Sequence, residues 1–316
     1  MRVPFARADF VALNECWGRF YPERYAVTPE LIESHTIGSN VFDWGASSIE
    51  AEDRAVRGFV AIKRSAGPAL YKGPDPDQAH ISALAFDDPT LGIDLISRAK
   101  KILAARGVQT LIFGQDNRHF FPGCPVDFPA LRDFLMVEGF DERSETHDLE
   151  RDLSHYEPPQ RAQPIGSIGI QARACTVSDR KCLAEFLYRE FPGRWEHDVL
   201  QKFDLEGPAT IFGLFSEDRC EGFALLQSGN VRLPIGGAVW HGSLGPRWGA
   251  LGPIGISKDL RGKGMGHSLL ASALLELKRK SVQQCIIDWT SLVGFYGEHG
   301  FEVSRSYKTL KLELMD

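Results

Sequence analysis

The stretch Leu251-Gly-Pro-Ile-Gly-Ile-Ser-Lys-Asp-Leu-Arg-Gly-Lys-Gly-Met-Gly-His-Ser-Leu-Leu270 decides how this 316-residue chain is read. Apolar residues give way to a segment with glycine at every second position, and a helix-like run follows through Lys280. A strand, a tight turn and a helix N-terminus in series are expected. Gly262, Gly264 and Gly266 let the backbone approach a ligand closely, because no Cβ stands in the way. The first N–H groups of a helix have no intrahelical acceptors and lie at the positive end of its dipole. With Arg261 and Lys263 beside them, they form a receiving site for phosphate.

Further on, Ser281-Val-Gln-Gln-Cys-Ile-Ile-Asp288 reads as a strand, followed by Leu292-Val-Gly-Phe-Tyr-Gly-Glu-His-Gly-Phe301. Arg261-Gly-Lys-Gly-Met-Gly266 with Phe295-Tyr-x-x-x-Gly-Phe301 behind it resembles the GNAT N-acetyltransferase family, over residues 166 to 316. The resemblance implies acetyl-CoA as co-substrate, its pyrophosphate lying on the backbone amides from Gly262 to Gly266. Arg261, Lys263, Met265 and His267 complete that turn. By the same resemblance Ile254, Gly255 and Ile256 pair with the pantetheine arm like an added strand. Tyr296 then lies by the thioester sulfur as general acid for the departing thiolate.

Composition agrees with a soluble globular protein long enough for two cores. The net charge of −6 argues against a nucleic-acid partner held by phosphate neutralisation. The opening Met-Arg-Val-Pro-Phe-Ala-Arg has no apolar run of the signal-peptide kind, and no stretch reaches membrane-span length. Six cysteines show no C-x-x-C pairing and no metal-like spacing with histidine, so reduced thiols, no metal and a cytoplasmic location are expected.

The best boundary is His155-Tyr-Glu-Pro-Pro-Gln-Arg-Ala-Gln-Pro-Ile-Gly166, where prolines among polar residues should keep the chain extended and exposed. It divides the chain into a domain over 1–155, a linker over 156–165 and a domain over 166–316. The halves resemble each other. Glu52-Asp-Arg-Ala-Val-Arg-Gly-Phe-Val-Ala-Ile62 answers Glu217-Asp-Arg-Cys-Glu-Gly-Phe-Ala-Leu-Leu226, Gly107-Val-Gln-Thr-Leu-Ile-Phe113 answers Ser281–Ile287, and Glu138-Gly-Phe140 answers His299-Gly-Phe301. This is an internal duplication of one α/β unit with a mixed (α+β) sheet: two tandem GNAT-like domains.

One copy has lost the chemistry. At constant offset, Arg261–Gly266 falls on Asp87-Asp-Pro-Thr-Leu-Gly92, which puts two carboxylates and an N–H-less proline where phosphates would lie. Tyr296 falls on Leu135. The N-terminal domain is therefore expected to be degenerate, without an acetyl-CoA site. It has gained a longer connection around Asp116-Asn-Arg-His-Phe-Phe-Pro-Gly-Cys-Pro-Val-Asp-Phe-Pro129, which either walls the acceptor pocket or glues the halves through Phe120 and Phe121. A Phe-Phe-Pro-Gly loop of this kind looks like those of tandem GNAT proteins acting on glucosamine and glucosaminides.

In the C-terminal copy, Thr176–Phe191 reads as a first helix, capped by Thr176 or Ser178 and ended by Pro192-Gly193; a second begins at Arg194. In the family this helix–loop–helix covers the acceptor, so Trp195 is either a pocket wall or interhelical packing. Acetyl transfer to an amine needs a base, an oxyanion donor and an acid for the leaving group. A backbone N–H near Ile256 suits the oxyanion. Ala250–Ile256 carries no carboxylate, so the base falls to Asp288 or His241, directly or through water, and Asp288 could equally bind the acceptor's ammonium. The expected activity is N-acetyl transfer to a small-molecule primary amine such as an amino sugar. Alternatives are an amino-acid or thiol-precursor amine, as in mycothiol-synthase-like tandem proteins, or an acyl-CoA-binding module without catalysis.

Overall fold

The computed structural model describes residues 1–53, 55–64, 77–162, 169–217 and 219–314. In chain order the strands are β1 (Arg2–Val3), β2 (Ser48–Glu52), β3 (Ala55–Arg64), β4 (Gln78–Phe86), β5 (Thr110–Phe113), β6 (Cys124–Pro125), β7 (Asp141–Asp152), β8 (Ile170–Ala174), β9 (Ile211–Ser216), β10 (Arg219–Ser228), β11 (Trp248–Ile256), β12 (Gln284–Thr290) and β13 (Glu302–Glu313). The helices are α1 (Phe10–Phe20), α2 (Pro29–His35), α3 (Pro89–Ala104), α4 (Pro129–Val137), α5 (Arg180–Glu190), α6 (Arg194–Glu206), α7 (Met265–Arg279) and α8 (Val293–Gly297). The fold is mixed α/β, and its contacts fall into two compact units.

The first unit holds the described residues of 1–64 and 77–147 and, from the far end of the chain, 305–314. Its strands follow the order β1-β2-β3-β4-β5-β13. β4 and β5 are parallel and the other pairs antiparallel. Asp9 caps α1 by accepting from the Val11 and Ala12 amides, and Thr28 caps α2. Phe120 and Phe121 are fully buried inside this unit. Phe121 stacks on Trp17 at 5.7 Å and meets Tyr21, Tyr25, Phe113 and Tyr307, while Phe120 lies 4.9 Å from Trp17. These ring partners belong to the first unit's own core. Lys63 and Asp116 form a buried ion pair at 2.6 Å in the same unit, and Ser82 donates to the same carboxylate.

The second unit holds the described residues of Asp148–Ser304. It repeats the first: β8, α5, α6, β9, β10, β11, α7, β12 and α8 answer β1, α1, α2, β2, β3, β4, α3, β5 and α4. The strand order is β8-β9-β10-β11-β12, with β12 beside the end of β7. Only β11 and β12 run parallel among β8 to β12. Leu269, Leu270, Ala273, Leu274 and Leu277 recur at helical spacing on α7 and bury against Leu226, Leu251, Cys285 and Ile287. Before α5 the Thr176 side chain and Asp179 form a reciprocal cap. Val239–His241 lies in a 3-10 helix, Gly236–Ser243.

The segment expected to be extended and exposed around 156–165 is not so at its start, and residues 163–165 lie outside the described residues. Tyr156 is 1% exposed. Its hydroxyl meets His299 Nδ1 at 2.8 Å, its carbonyl accepts from Lys278 Nζ, and its ring joins the α7 core. The apolar area of one tyrosine outweighs the polar character of its neighbours.

Candidate active site

β11 is held along one edge by β10, with Gly255 opposite Phe223 and Ile256 opposite Gly222. The Ser257 N–H donates to the Glu221 carbonyl at 2.8 Å. Alternation in an antiparallel ladder makes Gly255–Phe223 the next hydrogen-bonded pair, which turns the N–H and C=O of Ile254 and Ile256 away from β10. On that other side, β12 pairs with β11 only through Trp248–Gln284, Gly249–Cys285 and Ala250–Ile286. Registered pairing then stops, and Ile254, Gly255 and Ile256 are half-buried. A strand edge facing such a gap suits an extended amide-bearing ligand.

The turn from Ser257 to Gly264 carries the chain from this edge to α7. Gly262 and Gly264 have φ of +73° and +80°, a left-handed backbone that any side chain would strain. Gly264 is the N-cap of α7 and brings no side-chain acceptor. The first helical bond runs from Ser268 N to Gly264 O, so the N–H groups of Met265, Gly266 and His267 precede the intrahelical ladder. Arg261 and Lys263 are exposed on the turn. An uncapped helix start flanked by two cations fits the diphosphate of a nucleotide-bearing coenzyme.

Two consecutive residues at the end of α5 fix this arrangement. The Glu190 carboxylate accepts the Lys258 N–H at 3.1 Å and pairs with Arg189. Burial opposes its charge, yet the Arg189 guanidinium and that N–H hold its carboxyl below the usual carboxylate range. Phe191 lies over Gly255, where a Cβ would come within 2.5 Å of the ring. The Arg261 guanidinium stands 5.9 Å above the same ring. A few residues on, the Arg194 guanidinium lies 5.4 Å over Trp289 of β12. The α5–α6 junction therefore touches β11 at Phe191 and β12 at Arg194, spanning the gap between the parted strands. Trp195 packs on Phe191 at 5.2 Å and stays 38% exposed.

Asp288 sits on β12 where the strands have separated. Its carboxylate fills the space beside Gly236 and Gly237, and a Cβ on Gly252 would lie 3.9 Å from Oδ1. The next residue, Trp289, has φ of +48°, uncommon for a bulky side chain and costly by about 1–3 kcal/mol. Its N–H is held by the fully buried Asp148 at 3.2 Å. Tyr296 on α8 is 6% exposed and packs against Phe295 and Phe301. Its hydroxyl makes no hydrogen bond among the described residues. Burial first, and the negative charge of Asp288 second, push its phenol well above the usual range, so it stays protonated.

His241 is placed elsewhere. Its ring stacks on Trp248 at 5.3 Å and its Nδ1 meets the Ala238 carbonyl. Trp248 opens β11 and Ile256 closes it, ends separated by roughly 25 Å of extended chain. His267, in the first turn of α7, has partners of its own: its Nδ1 meets His299 Nε2 at 3.1 Å and its ring lies 4.5 Å from Phe295. Glu190, Phe191, Gly236 and Trp289 were not singled out from the sequence. Only the Gly236-Gly237 pair, two adjacent residues without side chains, offered a signal of close approach.

The matching place in the first unit is built differently. β4 ends at Phe86 and α3 begins at Pro89, so the long turn of the second unit is missing rather than replaced. Asp88 caps α3 through the Thr90 N–H at 2.7 Å. Asp87 pairs with Arg19 and Arg57. Leu135, in the position of Tyr296, is buried.

The sequence profile of the acetyltransferase (GNAT) family matches residues 181–301, the span that holds every element of this site from α5 to α8. This part of the chain belongs to the GNAT acetyltransferase family. Among solved structures, the GNAT fold recurs over the whole chain. One similar structure is a glucosamine N-acetyltransferase region of a fungal multi-domain GH3 β-N-acetylglucosaminidase, at 19% identity and a TM-score of 0.87 over 99% of this chain. The match covers 38% of that fungal chain. A GCN5-related N-acetyltransferase from Sphaerobacter thermophilus gives 16% identity and a TM-score of 0.68, covering 100% of this chain and 96% of its own. A tandem GNAT protein from the clavulanic acid biosynthesis pathway gives 14% and 0.67, covering 100% and 99%. At these identities the likeness speaks to fold alone. A comparison with curated protein sequences gives no match. Among the described residues no helix is long and apolar enough to cross a membrane.

Proposed function

We propose that the GNAT domain moves an acetyl group from acetyl-CoA to the primary amine of a small molecule, and that this molecule is an amino sugar. The uncapped, glycine-lined start of α7, opening beside a strand edge that its parallel neighbour has left, carries the proposal. Acetyl-CoA supplies an activated thioester. The N–H groups of Met265 to His267 with Arg261 and Lys263 would hold its diphosphate, and the outward groups of Ile254 and Ile256 its pantetheine amides.

The chain's own residues then divide the work. Asp288 draws in the acceptor's ammonium and takes its proton directly or through water. The outward N–H of Ile254 or Ile256 is a ready donor to a developing oxyanion. Tyr296, kept protonated by burial, holds a proton on Oη for a departing sulfur. Its unbonded hydroxyl supports catalysis over a binding-only role. Phe191 and Trp195 offer the flat apolar surface that a sugar ring stacks on, with Arg194 and Asp198 for its hydroxyls. The glucosamine activity named for the fungal neighbour agrees with that choice.

The second unit, Asp148–Ser304, is read as the catalytic one, and the first, with its carboxylate-capped α3, as lacking a coenzyme site. The six free cysteines suit a reducing compartment such as the cytoplasm. Coenzyme-thiol release from acetyl-CoA with a panel of amino sugars, polyamines, amino acids and peptides tests the whole. Turnover of glucosamine or a glucosaminide is expected. Turnover of amino acids alone would move the acceptor to the thiol-precursor class, and coenzyme binding without any turnover would leave a binding module.

A further inference from the structure

Upstream of the family match, the 3-10 turn Gln160–Ala162 packs against the start of α7. The Arg161 carbonyl lies 4.0 Å from where a Cβ on Gly264 would stand. Its guanidinium, 59% exposed, pairs with Glu298, and its Nη2 reaches within 3.4 Å of His267 Nε2. His267 belongs to the first turn of α7 and Glu298 caps the end of α8, so the guanidinium lies beside the first turn of the helix whose start is proposed for the diphosphate. Burial and then Arg161 itself hold His267 below its usual pKa, leaving Arg161 the cation of that side.

We infer that Arg161 is a coenzyme-binding residue, and that its pairing with Glu298 gives way to the coenzyme's phosphates. The inference rests on the coenzyme site proposed above. An exposed carboxylate–arginine pair is weak, whereas phosphate carries more charge and accepts a planar guanidinium in a two-point grip. Glu298 thus acts as a competitor for the same guanidinium. Opposite effects of removing the two charges follow.

Isothermal titration of the full chain with acetyl-CoA and with 3′-dephospho-acetyl-CoA tests this, using wild type, Arg161→Gln and Glu298→Gln. Arg161→Gln should raise Kd about tenfold. Glu298→Gln should lower it about twofold. Thermal melts should match wild type for both, since the pair is exposed. A penalty seen with both ligands assigns Arg161 to the diphosphate; one seen only with the 3′-phosphorylated ligand assigns it to that phosphate. Wild-type binding with an unchanged Kd in Arg161→Gln, or weaker binding in Glu298→Gln, overturns the inference alone. Failure of wild type to bind overturns the coenzyme site with it.

Discussion

Gly236 and Asp288 compete for one volume: a Cβ at position 236 would overlap the carboxylate of Asp288. The glycine has an ordinary negative φ, so space rather than backbone conformation requires it. Gly236→Ala should therefore fold while turning the carboxylate out of place. A displacement of this size at a catalytic group costs roughly 10²-fold. We expect kcat to fall by about that factor, as in Asp288→Asn, with coenzyme Kd unchanged in both. Full activity in Asp288→Asn would remove this residue from the chemistry.

Tyr296→Phe deletes one oxygen from a packed ring and should leave the fold and coenzyme affinity alone. A lost general acid lowers turnover by on the order of 10²-fold or more. Steady-state kinetics with direct coenzyme titration separates the effects. An unchanged kcat would leave the leaving thiolate to depart without help from this side chain.

The Glu190–Lys258 bond ties the end of α5 to the turn proposed to hold the phosphates. Glu190→Gln keeps the shape and weakens the acceptor. The turn should then sample other conformations, raising KM for acetyl-CoA by several-fold, about the loss of one charge-assisted hydrogen bond. Because Glu190 touches neither reacting centre, kcat at saturation should hold. A fall in kcat without a change in KM would contradict a positioning role.

One coenzyme per chain is expected by titration. In the first unit the start of α3 already has its carboxylate cap and follows β4 without an intervening turn. Asp88→Ala should therefore open no second site, since Pro89 still withholds an N–H. A stoichiometry of two would show that the first unit binds as well.

Sequence spacing exposed the strand–turn–helix of 251–270 and the Phe-Tyr-x-x-x-Gly-Phe segment because glycine periodicity and local order are chain-local properties. The duplication was legible for the same reason. The constant-offset comparison misjudged how the first copy differs: it read substitution by Asp87 and Asp88 where the turn is in fact deleted. A shortened loop shifts the register of everything before it, which fixed spacing cannot register. Phe191 over Gly255, Arg194 over Trp289 and Gly236 beside Asp288 join residues far apart in sequence, so no periodicity announces them. His241 stacks on Trp248 at the start of β11, whereas the glycine turn follows the far end of that strand.

The buried chain of Tyr156, His299 and His267 gives the second unit a pH signature. Burial, then the nearby His267 and the Arg151 and Arg161 cations, lower His299 from 6.5 to about 4. The folded state thus keeps His299 neutral while the unfolded chain takes up a proton below 6.5. The unfolded state binds more protons between these values, so stability is complete above pH 6.5 and is lost as pH falls toward 4. Melting temperature should drop by several degrees between pH 7 and pH 5. His35, lowered to about 3 by burial in the first unit, adds a slope of the same sign. His299→Gln isolates the second unit's share: it should melt lower than wild type at pH 7, having lost the bond to Tyr156, and show a shallower decline toward pH 5. Parallel pH profiles for variant and wild type would mean that His299 titrates in the folded protein much as it does in the unfolded chain.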